Sequence, residues 1–167
     1  MTPSSLSLSG ILAKLSEFSR RPRQTFIILN LIAEIAGPDG RAGPWVTVDG
    51  QNIPVRDWLG FQLTPLTANS PRRQQLRNRL RSALKYELPH DPEAAEQMIE
   101  CAVKERILKT NKTVVSRAVT DLEAAGLITR QYEGYLRPHV NRGAQRHAVY
   151  VITAETRAAL HRGTLLV

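Results

Sequence analysis

The residues of this sequence best suited to chemistry are small hydroxyls interleaved with long cations. Asn111, Lys112, Thr113, Ser116, Arg117 and Thr120 fall within one short segment. At helical spacing such residues present donors and positive charge toward one side. Arg and Lys pair with guanine edges, hydroxyls reach several bases, and a helix fits the major groove of duplex DNA. A helix starting at Lys112, capped by Asn111, would also offer free amides and a positive dipole end to a phosphate. A second basic set follows: Arg130, Arg137, His139, Asn141, Arg142 and Arg146, against one acid, Glu133. A third lies upstream, where Arg72, Arg73, Arg77, Arg79, Arg81 and Lys85 meet no acid before Glu87. Of these, Arg72, Arg73 and Arg77 are candidate phosphate contacts. Glu93, Glu96 and Glu100 are the nearby acids able to neutralise them.

Other chemistries are poorly served. The sequence contains no phosphate-cradling P-loop, no Gly-x-Ser-x-Gly elbow and no His-Glu-x-x-His zinc motif. Asp57, Asp91 and the scattered glutamates form no acid–base pair. His90, His139, His147 and His161 lack metal-ligand spacing. The single cysteine, Cys101, permits no internal disulfide and reads as a small buried residue. These absences argue against an enzyme and against any metal or cofactor. The 23 Lys and Arg outnumber the 15 Asp and Glu, for a formal charge of +8, which favours a polyanionic partner. Cysteine scarcity and the lack of a secretory signal pattern predict a cytoplasmic, nucleoid-associated protein. The strongest apolar run, Phe26 to Ala36, is shorter than the ~20 residues that span a bilayer, so no membrane partner is expected.

The elements that must position these residues are legible from turn and cap chemistry. Residues 1–23 read as a flexible basic arm, with room for a short helix from Ile11 to Phe18. Gln24 to Ala36 reads as an almost wholly apolar helix, ended by the Gly- and Pro-rich loop at 37–44. Asp49-Gly50 between Trp45-Val-Thr-Val and Gln51-Asn-Ile-Pro-Val predicts a β-hairpin. Ser70-Pro71 and Asp91-Pro92 each mark a helix start, the second helix running over 93–108. Gly126 is placed to terminate the helix over 112–125. Leu127 to Tyr132 and Ala148 to Thr153 then read as two strands joined by the long basic loop, and Thr153 caps a last helix over 154–162.

The run Thr113-Val-Val-Ser-Arg-Ala-Val-Thr-Asp-Leu-Glu-Ala-Ala-Gly-Leu-Ile resembles the recognition helix and exit strand of winged helix-turn-helix repressors, above all the MarR family. Lys112, Ser116, Arg117, Leu122, Glu123, Gly126, Leu127 and Ile128 carry the match, and Thr153-x-Glu-x-Arg-x-x-Leu160 is similar to the family's post-wing helix. The segment before Lys112, Ile107-Leu-Lys-Thr-Asn111, lacks the Gly of the family's turn. The hairpin at 45–55 and the Arg-rich helix have no counterpart in the simple MarR layout.

The resemblance implies a mostly α (α+β) fold: a winged helix-turn-helix with a two-stranded wing, extra N-terminal helices and a small hairpin. It divides the chain into the arm at 1–23, a dimerisation and basic-helix region at 24–92, a winged-helix domain at 93–162 and a tail at 163–167. It implies a double-stranded-DNA-binding transcriptional regulator, a homodimeric repressor using a recognition helix (112–125) and wing (133–147). The helices at 24–36 and 154–162 would pack together or across the dimer, with recognition helices ~34 Å apart. No residue pattern supports a small-molecule effector. A plasmid or phage replication-initiation or partition protein, and a winged-helix protein-interaction adaptor, are the competing readings.

Overall fold

The structure, a computed structural model, describes residues 5–67, 70–133 and 147–164. The chain is mostly helical, with six helices and two small antiparallel sheets among the described residues. It forms two compact units: residues 1–59 with 115–167, and residues 60–114.

The first unit opens with α1 (Leu8–Phe18), capped by the Ser7 side chain, and α2 (Pro22–Ile35). The short helix allowed within the N-terminal arm is therefore present, and longer than expected. Ile11 and Leu15 of α1 are wholly buried, as are Ile28, Leu29 and Ile32 of α2. Burial of a side chain of this size contributes ~1.5–3 kcal/mol toward holding the segment in place. Between the helices Ser19 and Thr25 satisfy each other in the interior through their hydroxyls, 2.9 Å apart. The C-terminal helix α6 (Ala154–Thr164) packs against α1, and so does α2. The two helices expected to pack on each other, α2 and α6, are thus both packed on α1, the segment expected to be an arm.

Two sheets complete this unit. The strands β1 (Arg41–Ala42), β4 (Ile128–Glu133) and β5 (His147–Ile152) form a sheet ordered β1-β5-β4. The register sets Arg130 opposite Tyr150 and Glu133 opposite His147. His147, expected on the loop, is the first residue of β5 because it pairs there. The strand β1 arises inside the stretch read as a plain loop. Gly40 (φ 80°) lets it approach β5: a Cβ there would lie 2.7 Å from the Ile152 carbonyl oxygen. The second sheet is the predicted hairpin, β2 (Trp45–Val48) with β3 (Gln51–Pro54). Its turn residues Asp49 and Gly50 both have positive φ, as a two-residue type I′ turn requires. Helix α3 (Val55–Thr67) begins here, with Val55, Trp58 and Leu59 buried.

The second unit holds the rest of α3, helix α4 (Pro71–Ala83) and the first part of α5 (Pro92–Ala124). Ser70 caps α4 through its hydroxyl, and Asp91 accepts from the Ala94 amide at the start of α5, as the sequence predicts. The core is small: Ile99, Val103 and Ile107 of α5 against Leu76, Leu80 and Leu88. No residue of α4 is fully buried.

The principal departure from expectation is α5. The sequence predicts two helices, at 93–108 and 112–125, separated by a turn; the structure has one helix of 33 residues. No Gly or Pro interrupts residues 93–125, and the side chain expected to cap a new helix is buried within it. Asn111 is 5% exposed and its Nδ2 donates to the Gly60 carbonyl oxygen at 3.1 Å. Gly60 permits that approach, since a Cβ there would lie 3.1 Å from Leu108 Cδ1 and 3.4 Å from Lys112 Cγ. Cys101, expected to be buried, is exposed. The buried positions of α5 in this unit step from Ile99 to Val103 and Ile107, and Cys101 stands off that stripe.

Candidate nucleic-acid interface

In the first unit, the last turns of α5 carry Ser116, Arg117 and Thr120. Their backs are anchored by Val115, Ala118, Val119 and Leu122, all buried, so the intervening residues face outward. Arg117 and Thr120 are exposed and Ser116 is half-buried. Gly126 (φ 72°) ends the chain's helical run and turns it into β4.

Arg130 of β4 joins this face. Its Nη2 donates to Thr120 Oγ1 at 3.0 Å, and its Nη1 to the Tyr132 hydroxyl at 3.4 Å. Its Nε lies 2.9 Å from Glu123 Oε1 but makes no directed hydrogen bond, so that contact is Coulombic in character. Burial would lower the guanidinium pKa; the Tyr132 hydroxyl and the Glu123 carboxylate outweigh it and raise the value above its usual range. Thr120 in turn donates its hydroxyl proton to the Ser116 carbonyl oxygen at 3.0 Å. Two of the predicted DNA contacts, Thr120 and Arg130, are therefore bound to each other. Arg130 acts as a brace between helix and strand, with its cation shared by Glu123.

Tyr150 lies across the ladder from Arg130. Its hydroxyl pKa is pushed up to about 12 by burial, against the opposing pull of Arg130 and Arg56. Arg41 of β1 reaches the far end of β4: it donates to Gln131 at 3.0 Å and pairs with Glu133. Glu133, the lone acid of the basic loop stretch, is thereby neutralised at its base. On the returning strand, His147 packs against the half-exposed Trp45 of β2 with ring centres 4.3 Å apart. Sequence reasoning missed Arg41, Tyr132 and Trp45 as neighbours of this face. No local pattern marks the two-residue β1 or the Trp45–His147 contact. Arg137, His139, Asn141, Arg142 and Arg146 lie outside the described residues.

The second unit holds the other predicted readers. Asn111 is buried against Gly60, which removes it from any binding role. Thr113 is exposed and donates its hydroxyl to the Lys109 carbonyl oxygen at 3.3 Å, while Lys112 is half-buried. Because α5 is continuous here, no free amides or dipole end stand at Lys112, and the expected phosphate site at a helix start is absent.

The arginines of α4 divide. Arg73 pairs with Glu100 at 2.7 Å, Arg77 with Glu100 at 2.8 Å and with Glu96, and Arg81 with Glu96. The Glu96 hydrogen bond, followed by the charges of Glu96 and Glu100, raises the Arg77 pKa above its usual range despite desolvation. Two of the three predicted phosphate contacts, Arg73 and Arg77, are thus turned to α5. Arg72 is exposed.

Among the described residues there is no group of three metal-ligating side chains, and no helix long and apolar enough to cross a membrane. Comparison of the chain with protein-family models, curated proteins and solved structures returns no match.

Proposed function

We propose that the chain is a sequence-specific, double-stranded-DNA-binding transcriptional regulator of winged-helix type, acting as a homodimeric repressor. The reading rests on one coupling: the outer face of α5, with Arg117 and Thr120 exposed and Ser116 half-buried, is braced through Arg130 to β4. The Arg-rich stretch at 134–146 leaves from β4 and returns on β5. The helix face, with this Arg-rich segment next to β4 and β5 in sequence, would make a two-part device, one part reading base edges and the other gripping the backbone.

In this scheme Arg117, with Ser116, reads bases or nearby phosphates. Thr120 and Arg130 position the face. Arg137, Arg142 and Arg146 hold the sugar–phosphate backbone. The continuous α5 changes the docking expected of a helix-turn-helix: the helix presents its side and not its first turn. Half-exposed Leu12, Phe18 and Ile27 on α1 and α2 offer apolar surface to a second copy. Repression would follow from occluding a promoter.

Arg117→Ala should cost ~1–3 kcal/mol on the preferred duplex and relax base preference. Arg142→Ala should weaken binding to all sequences alike and flatten the salt dependence. Titrations of both variants on selected and random duplex at several salt concentrations test this. Unchanged affinity in both would defeat the assignment.

A further inference from the structure

The arginines of α4 have two separate jobs by geometry. Arg73, Arg77 and Arg81 recur every four residues and spend their charge on Glu96 and Glu100. Leu76 and Leu80 turn the same way, onto Ile99, Val103 and Ile107. This inner face clamps the helix to α5 and accounts for those three cations.

The outer face is different in kind. Arg72, Gln75, Arg79 and Ser82 are all exposed. Arg72 and Arg79 are two turns apart on one stripe, ~10 Å along the axis, with Gln75 between them. From Pro71 to Ala83 the helix has no acid. Just past its end stands Tyr86, 94% exposed, with Lys85 Nζ 5.9 Å from its ring centre. A solvated helix face normally mixes charge signs at such spacing, for the stability that (i, i+4) pairs provide. This face carries no acid, and its charged groups within the helix are arginines, whose planar fork grips phosphate oxygens in pairs.

We propose that the outer face of α4 is a second duplex-DNA contact, in which Arg72 and Arg79 hold phosphates of the backbone while Gln75 adds a donor along the same rail. The proposal rests on the DNA-binding reading above and extends it to the second unit. The chemistry selects a phosphate backbone over other polyanionic surfaces. With Leu76 and Leu80 turned inward, a single exposed aromatic, Tyr86, is the only large apolar group beside the outer stripe among the described residues, less than the apolar face an interfacial helix buries in a bilayer. It likewise lacks the packed apolar centre on which protein interfaces depend. A contact of this kind adds affinity without sequence information.

The test uses the full-length chain with Arg72→Gln/Arg79→Gln, titrated on a selected duplex and a random duplex from low to physiological salt. Both residues are exposed, so the fold is retained, which far-UV circular dichroism checks. Loss of two phosphate contacts should make the slope of log K against log salt shallower by about 1.8. Affinity should fall by the same factor on both duplexes, leaving sequence preference intact. A double variant that matches the wild-type slope and affinity overturns the proposal. If the wild-type chain itself binds no duplex, the DNA-binding reading falls first and this extension falls with it.

Discussion

Replacing Asn111 by aspartate separates a continuous helix from a helix-turn-helix more sharply than any deletion of the side chain. As the N-cap of a new helix, aspartate serves as well as asparagine, and stability would change by a few tenths of a kcal/mol. In the observed position the side-chain amide is 5% exposed and donates to the Gly60 carbonyl oxygen at 3.1 Å. Aspartate puts an oxygen where that donor stood. The hydrogen bond, worth ~1 kcal/mol net, is lost. A buried carboxylate then faces the Gly60 carbonyl oxygen, and an uncompensated buried charge costs ~3–5 kcal/mol. The carboxyl escapes part of that cost by taking a proton, so its pKa in the folded state rises above the ~3.9 of the unfolded chain. The sign of the pH dependence follows: the deficit is least below about pH 4, grows as pH rises toward the raised folded value, and is complete above it. Urea unfolding at pH 4 and pH 7.5 measures the difference. Asn111→Ala, which removes the bond and introduces no charge, should cost only ~1 kcal/mol at either pH. If Asn111→Asp unfolds at the wild-type midpoint at both pH values, Asn111 is a cap and α5 is broken there.

Gly60→Val should destabilise the second unit by ~1–3 kcal/mol, because its Cβ alone would already sit 3.1 Å from Leu108 Cδ1 and branching adds bulk that the α3–α5 contact cannot absorb. Its urea midpoint reads this, and a wild-type midpoint would count against the close approach. Tyr150 should ionise near pH 12, above the ordinary tyrosine value, in an ultraviolet titration. Its raised pKa contributes stability that is complete below pH ~10 and is lost between pH ~10 and ~12, to a limit of ~2–3 kcal/mol. Tyr150→Phe should lose that alkaline dependence; if it keeps the wild-type profile, Tyr150 is not its source.

The elements that announce themselves by local chemistry were legible in the sequence. Asp49-Gly50 fixes a hairpin because both residues tolerate positive φ. Ser70-Pro71, Asp91-Pro92 and Thr153 mark helix starts because their side chains satisfy amides within the next turn. Gly126 marks the exit of α5 for the same local reason. What escaped was decided by contacts between residues distant in the chain. Asn111 ranks high as a cap, and only its hydrogen bond to Gly60 reveals an interior role. The strand β1 is two residues long, too short for any periodicity, and exists because Gly40 fits beneath β5. The inward and outward arginines of α4 share one residue type; the positions of Glu96 and Glu100 divide them. At the candidate interface, Arg117 and Thr120 face outward as their spacing predicts, whereas the capture of Arg130 by Thr120 and Glu123 needed the strand's register.

The most direct measurement of the central claim is selection of bound sequences by the full-length chain from a pool of random duplexes. The account predicts an enriched motif with two-fold symmetry, its halves about one duplex turn apart, and loss of enrichment when Arg117 is replaced. A pool that emerges with its input composition after repeated rounds would contradict it.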